Sequence, residues 1–571
     1  MDKKQKWKRV AGISLLIGAF IISIILTVQG AKEGKRILQG SGVHIESLDN
    51  FQIEQLGKLC KVWGLVKYYH PTVVGGEVDW DAALFEVMPK VLETKNAQEV
   101  DKILYDWIIQ LGPGVRGVPQ DNREKVIEAD LDWISDKTYM GQELRTLLID
   151  ISNTYIKNRD KAYITFQKDG IFASLKNEKK YSNMRSEDDG YKLLSLFRYW
   201  NIIEYYFPYR TVMDKDWNDV LIEFIPKFEA CGDDLSYKLT ASELISQIQD
   251  SHASVIDTRG TLYRYWGTNF APIKFQIIDN QVVITQVGKK YENTCNVKPG
   301  DVVLKLNGRD IFEVIEEKLR YVSVSHEAGI AKVLQYCLFR TGESELTLEV
   351  ERDGKEKEEV IQCYNDTSFI KEELESHKLL EDHIGYINPG ALKKNEIHSI
   401  MKKFRDTKGI IVDLRYYPTD SIMYSLGEYL MPEPTPFVTY SAASHEKPGD
   451  FLMGGVLEVG KQNPDYYKGK VMLIINEFTQ SNPEFTAMAL RVAPNATVIG
   501  SPSTGADGNI VEIKLPGGIK TYISGIGFYY PDGTKTQRIG IIPDVYIRPT
   551  KEGIKEGRDE LLEKAIELIN N

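Results

Sequence analysis

Lys470-Val-Met-Leu-Ile-Ile-Asn-Glu-Phe-Thr-Gln-Ser-Asn-Pro-Glu-Phe-Thr-Ala-Met-Ala-Leu490 is the stretch that decides how this chain is read. Val471 to Ile475 is an unbroken apolar run, the mark of a strand buried on both faces of a parallel sheet. A polar turn follows, and then Phe485, Met488 and Ala489 recur at helical spacing. Pro483 suits the first turn of that helix, where its missing N–H costs nothing. Ser481 therefore falls in a sharp strand-to-helix turn, at the positive end of a helix. Two roles fit it there. Serine is a preferred N-cap, and a nucleophile at this point would share its backbone with an anion-binding pocket. The turn alone does not choose between them.

Around this stretch, strands and helices alternate. Ile384–Ile387 and Gly409–Leu414 read as strands, Asn395–Phe404 and Ser421–Leu430 as helices, and Ala496–Ile499 as the next strand. Repeated βαβ units imply a parallel sheet covered by helices. Ile510–Lys514 and Thr521–Ser524 flank the turn Leu515-Pro-Gly-Gly518, and Arg558–Ile569 is a charged closing helix.

Upstream, from about Asn269, the period is that of strands. Ile273–Ile277 and Val282–Val287 flank Asp279-Asn280, a hairpin signal. Val297-Lys-Pro-Gly-Asp-Val-Val-Leu-Lys-Leu-Asn-Gly-Arg-Asp-Ile311, a helix around Ala328–Cys337 and the strands Glu345–Arg352 and Glu358–Gln362 follow. This part resembles a PDZ domain, a module that holds a peptide as an added strand.

Further upstream the chain repeats itself at an offset of 137 residues. Trp63, Tyr68, Tyr69 and Pro71 match Trp200, Tyr205, Tyr206 and Pro208; Asp79-Trp80 and Pro89 match Asp216-Trp217 and Pro226. Each copy reads as helices, with Tyr-Tyr-x-Pro closing the first. The aromatic stripes read as core. Continuing the register sets Gly114-Val115 of copy one against Ser251-His252 of copy two, so the copies diverge where one carries a reactive pair. A surface histidine at a helix end would also fit that position. Between the copies, Glu128–Asp189 mixes a helix (Leu144–Ile156) with strand-like pieces (Ala162–Phe166), and Lys176–Asp189 reads as a charged loop.

At the amino terminus Lys3, Lys4, Lys6, Lys8 and Arg9 precede the 19 uncharged residues Val10–Val28, with Lys32, Lys35 and Arg36 beyond. At 1.5 Å per residue that run matches a hydrocarbon core of ~30 Å. No A-x-A cleavage site follows it, and the basic flank favours a cytoplasmic amino terminus. The expectation is an uncleaved single-pass anchor in the cell membrane, with the rest of the chain extracytoplasmic.

Composition excludes several classes. The 571 residues exceed one core. A net charge of −11 without a basic block argues against nucleic acid as a partner. Cys60, Cys231, Cys295, Cys337 and Cys363 are scattered and odd in number, so neither a disulfide framework nor a zinc knuckle is expected. There is no H-E-x-x-H, P-loop or G-x-G-x-x-G, and no metal or cofactor is expected.

Thr479-Gln-Ser-Asn-Pro-Glu484, Asp413-Leu-Arg415 and Gly540-Ile-Ile-Pro-Asp544, behind a PDZ-like module, together resemble the tail-specific (carboxy-terminal processing) and tricorn-core serine peptidases. The resemblance spans about 300 residues from Gln249 onward. It implies a ClpP/crotonase-like α/β catalytic domain, a peptide or protein substrate, and Ser481 as nucleophile. In the processing branch a lysine follows the serine by 25 residues; here that position is Ala506, and the nearest downstream lysine is Lys514. In the tricorn-like branch the base comes from a Ser-His pair ahead of the PDZ segment, which maps to His252, with Ser251 in support. Histidine can accept the serine proton and return it to the leaving amine. The resemblance places oxyanion donors at Asn482 and near Thr419 or Asp420, and the acidic orienter at Gln537. Two positions depart from the family pattern: Gln537 is an amide, and Tyr416-Tyr-Pro-Thr-Asp420 replaces the usual glycines after Asp413-Leu-Arg415. Glu484 reads as a helix-start charge.

The expected organisation is multidomain: an anchor (1–36), a first helical copy (37–127), a connecting segment (128–189), a second copy carrying Ser-His (190–262), a PDZ-like domain (263–364) and an α/β catalytic domain (365–571). The expected function is a membrane-anchored serine endopeptidase. The alternative is an inactive membrane-anchored peptide-binding scaffold of the same fold.

Overall fold

The computed structural model describes residues 40–114, 120–156, 158–167, 170–368 and 374–571. Val10–Val28 and Val115 lie outside them. Among the described residues no helix is long and apolar enough to cross a membrane.

The two aromatic stripes fold into matching helix sets. Asn50–Tyr69, Trp80–Leu92 and Ala97–Ile109 correspond to Asp189–Tyr206, Trp217–Glu229 and Asp234–Ser246. Asp79 and Asp216 cap the second helix of each set, and Asn96 and Asp233 the third. The paired tryptophans explain their own spacing. Trp63 Nε1 donates to Trp80 O at 3.1 Å while Trp80 Nε1 donates to Trp63 O at 3.0 Å. Trp200 and Trp217 repeat the exchange at 2.7 and 3.0 Å. Each indole thus buries its ring and still satisfies its N–H.

The copies pack on each other through their first helices. Gly64 faces Asn201, its counterpart in the other copy, so closely that a Cβ would lie 1.6 Å from Asn201 Oδ1. Tyr68 sets its ring edge-on to those of Tyr205 and Tyr206, each at 5.3 Å.

Beside this crossing lies a fully buried ion network. Lys67 Nζ is 2.7 Å from Glu178, and Arg198 is 2.8 Å from Asp81 and 3.2 Å from Glu178. Glu178 belongs to the segment that the sequence suggests is a charged loop. It is buried because two cations offset its charge. Burial alone would raise the Asp81 carboxyl, yet Lys67 and Arg198 hold it below its ordinary range.

Residues 269–362 form the small β module. Its antiparallel strands run, in sheet order, Lys355–Gln362, Glu345–Arg352, Val302–Leu306, Gln281–Val287 and Ile273–Ile278, which is an edge. Asp279 and Asn280 both take positive φ, 49° and 58°, as a two-residue I′ hairpin turn requires. The helix expected over Ala328–Cys337 is shorter, Ile330–Leu334, with a 3-10 turn before it.

The sheet of the C-terminal part has the order His377–Leu380, Ile384–Ile387, Gly409–Asp413, Lys470–Ile475, Ala496–Gly500 and Val545–Tyr546. All neighbours are parallel except the first pair. Val471, Leu473 and Ile475 pack into one apolar layer with Phe404, Leu426 and Met488, while Met472 and Ile474 face Leu561, Ala565 and Ile569 of the closing helix. The apolar run is unbroken because both faces are covered. Arg415 pairs with Asp413 at 2.6 Å and with Asp559, the cap of the closing helix, at 2.7 Å. The Asp-Leu-Arg motif therefore clamps that helix to the sheet.

The buried network gives a test. Arg198→Met should leave Asp81 and Glu178 with only Lys67 between them, destabilising the helical region by about 3–5 kcal/mol. Urea unfolding monitored by tryptophan fluorescence measures the shift.

Candidate active site

Ser481 ends the turn between the Lys470–Ile475 strand and the Asn482–Leu490 helix with φ 64° and ψ −121°. Ser481 is the N-cap of this helix, its C=O accepting Phe485 N–H at 3.0 Å, but its backbone is not the extended one that N-caps usually take. A non-glycine residue held in this region costs on the order of 1–3 kcal/mol and persists only where its surroundings over-determine it. The surroundings here are specific. Ser481 N–H donates to Ala506 O and to Glu484 Oε2, both at 2.9 Å. The fully buried Glu484 carboxylate also accepts from Ser503 Oγ at 2.5 Å, Gly505 N at 2.8 Å and Ala506 N at 3.2 Å. Burial pushes Glu484 above its ordinary range, opposed by these hydrogen bonds and by Lys332.

Thr479 Oγ1 donates to Leu414 O at 3.0 Å, tying the turn to the neighbouring strand end. Gly540 backs the site with φ 77°, and a Cβ there would meet Ser503 O at 2.6 Å. The Gly540–Asp544 motif is thus fixed by close approach. Asp544 Oδ2 accepts from Val498 N at 2.8 Å.

His252 reaches this neighbourhood from the end of the second helical copy. Gln480 Nε2 donates to Ser251 O at 3.3 Å across 229 residues of sequence. His252 Nδ1 lies 3.0 Å from Ser524 Oγ and 3.3 Å from Asp250 Oδ1. Its Nε2 is buried and has no hydrogen-bond partner among the described residues. Asp250 is the group the sequence reading missed. It is fully buried, accepts His252 N–H at 3.0 Å and accepts Ser524 N–H at 2.7 Å. Burial works against its charge, but His252 and these backbone donors hold it below its ordinary range. Its position two residues before the histidine was the available signal.

The other expected residues fall as follows. Ser251 and Ser325 exchange hydrogen bonds, Ser251 N to Ser325 Oγ at 2.7 Å and Ser325 N to Ser251 Oγ at 2.9 Å. Ser251 thus clamps the histidine loop onto the β module. Gln537, expected to orient His252 or Ser251, hydrogen-bonds to neither: both its amide atoms are buried without a partner among the described residues. Asp250 supplies the carboxylate that Gln537 lacks. Asn482 N–H opens the helix, where backbone donors have no intrahelical acceptor. Thr419 N–H is already taken by Pro389 O at 3.1 Å, so it is not a free oxyanion donor. Asp420 Oδ2 accepts Lys394 N–H at 3.0 Å. Lys514 lies away from the turn, 2.7 Å from Glu512 on the Ile510–Leu515 strand. Ala506 is buried, its backbone committed to Ser481 and Glu484.

Residues 383–547 match the family model for peptidase family S41. They belong to that family. The assignment carries the enzyme class, serine peptidase. Ser481 lies inside the matched segment and His252 outside it. Among solved structures, mature CPAF complexed with lactacystin is 12% identical with a TM-score of 0.53, over 67% of this chain and 99% of that one. The photosystem II D1 C-terminal processing protease is 13% identical with a TM-score of 0.40, over 64% and 96%. The tricorn protease is 14% identical with a TM-score of 0.34, over 73% and 41%. At such identity the CPAF likeness shows a shared fold. No curated protein matches the chain.

Asp250→Asn should remove the negative charge beside the imidazole and leave one of two backbone donors, His252 N–H or Ser524 N–H, without its acceptor. The rate of fluorophosphonate labelling at Ser481 should fall by about 10²–10⁴-fold. Gln537→Met should change it little, which the same labelling assay checks.

Proposed function

We propose that this chain is a membrane-anchored, extracytoplasmic serine endopeptidase that cleaves peptide bonds through an acyl-enzyme on Ser481. One observation carries the reading: a serine held at positive φ in a strand-to-helix turn, beside a loop whose histidine has Nδ1 engaged and Nε2 unpartnered. His252 Nε2 takes the Ser481 Oγ proton as the oxygen attacks the scissile carbonyl. Asn482 N–H and the helix amino terminus stabilise the oxyanion. Asp250 stabilises the imidazolium formed, the role a carboxylate plays in a Ser-His-Asp triad. The imidazolium then protonates the leaving amine, and water attacks the acyl-enzyme with His252 again as base. No hydrogen bond joins Ser481 Oγ to His252 Nε2 in the resting site, and such contacts commonly tighten only with substrate bound.

The β module would hold substrate as a PDZ-like domain does. A groove of about 460 Å³ follows the Ile273–Ile278 edge, lined by Ile278, Phe312, Ile315 and Leu319 and closed by Arg548 of the catalytic domain. An extended peptide there would continue the sheet. Anchoring rests on Val10–Val28 and its basic flanks.

Two outcomes test the proposal. His252→Ala should lower peptide hydrolysis by ~10²–10⁴-fold or more while circular dichroism stays unchanged. Near-normal turnover in that variant would remove His252 as base. Protease added to intact cells should digest the body of the protein and spare a tag at Met1. The reverse pattern would invert the topology.

A further inference from the structure

Lys332 is a lysine of the β module that the proposed chemistry does not use. It sits on the short helix Ile330–Leu334, yet its ammonium leaves the module and donates to Phe478 O at 3.0 Å. Phe478 lies between the catalytic strand and Ser481, within the turn that sets the nucleophile's backbone. The contact is one of several made by the same module segment. Ser323 Oγ accepts from Asp250 N at 2.9 Å, and Ser325 and Ser251 are mutually bonded. Gly329 packs so closely on Thr504 that a Cβ would lie 2.8 Å from its methyl. Thr504 in turn bonds Thr479 O at 3.0 Å and Glu477 O at 2.7 Å. One side of residues 323–332 therefore backs both the histidine loop and the serine turn.

We propose that Lys332 is a positioning residue of the nucleophile turn: from the β module its ammonium fixes Phe478 O, three residues before Ser481. Lys332 and Glu484 make no contact ion pair among the described residues, so the ammonium acts on the buried carboxylate only at longer range. Burial lowers Lys332 to about 8, and Glu484 works in the opposite direction. The Glu484 charge also acts on Asp507 and Tyr530. Burial and the Glu484 charge raise Asp507 well above its ordinary range. Burial raises Tyr530, with Arg491 opposing. Lys332 is the cation that favours the Glu484 anion.

The anion matters because all four neighbours at Glu484 donate to it. A proton on Oε1 could be taken up by the Ser503 hydroxyl, but a proton on Oε2 would point at the Ser481 and Ala506 N–H groups. Ser481 N–H or Ala506 N–H would then lose its acceptor, and the strained serine would relax. The catalytic domain is thus completed by a side chain from the module ahead of it.

The inference rests on Ser481 being the nucleophile, so the test has an arm independent of reactivity. The purified full chain is compared with Lys332→Met and Lys332→Arg. Fluorophosphonate labelling of Ser481 is followed against pH, and hydrogen exchange is followed in peptides spanning 476–485. Lys332→Met should label at least tenfold more slowly and lose exchange protection across the turn. Removing the cation favours protonated Glu484, so its labelling should also fall off at a higher pH than in the parent. Lys332→Arg should restore both. If Lys332→Met loses protection in the Lys470–Ile475 strand as well, Lys332→Gln carries the comparison. A parent that never labels defeats the nucleophile reading, while exchange still decides the role of Lys332. Parental labelling, pH fall-off and protection in Lys332→Met would overturn the inference. So would an arginine variant as impaired as the methionine one, because shape rather than charge would then be the cause.

Discussion

The Glu484 carboxylate is the contact on which the site depends. It gathers donors from Ser481, Ser503, Gly505 and Ala506 into one buried anion. Removing those bonds would leave the unfavourable φ of Ser481 without support. The position that carries a lysine in one branch of the resembling peptidases is here part of this cradle, as a buried alanine. The cradle occupies the position at which a lysine base would stand, and the proposed base, His252, is delivered from elsewhere.

That delivery explains the domain organisation. The loop Asp250–His252 leaves the second helical copy and is held by the catalytic domain through Ser524 and by the β module through Ser323 and Ser325. Three parts of the chain therefore fix one imidazole. The helical copies must in turn be rigid with respect to the catalytic domain. Arg198 of the buried network donates to Lys514 O at 3.1 Å, and Tyr209 OH donates to Asp507 O at 3.2 Å. Histidine and serine come together because the surfaces behind them interlock, with little help from direct contact between the two residues.

What could be read from the sequence was whatever left a periodic or local trace. The central strand was legible because double burial demands an unbroken apolar run, and the helical copies because the Trp63/Trp80 exchange requires a fixed spacing. The long hairpin Thr435–Ala443 and Phe451–Val459 was not, since its residues include glycines and exposed positions that blur the alternation. The burial of Glu178 leaves no trace in the sequence, because its cationic partners, Lys67 and Arg198, lie on distant helices. Asp250 carries no signal of its own beyond its closeness to His252, and the family resemblance places the orienter at Gln537 instead. Glu484 was understood only as a charge at a helix start: its three further donors come from residues 503–506, which no local pattern connects to it.

The central claim is that His252 and Ser481 act on the same substrate atom pair. Peptidyl chloromethyl ketones with varied P1 side chains test this most directly, because the serine adds to the ketone and the adjacent imidazole is alkylated at Nε2. Peptide mapping by mass spectrometry should find the methylene carbon on His252 Nε2, chloride having left, and His252 unmodified in Ser481→Ala; the serine hemiketal itself reverses on unfolding. An inhibitor that captures Ser481 in the active protein while another side chain takes up the methylene carbon, His252 remaining free, would contradict the account.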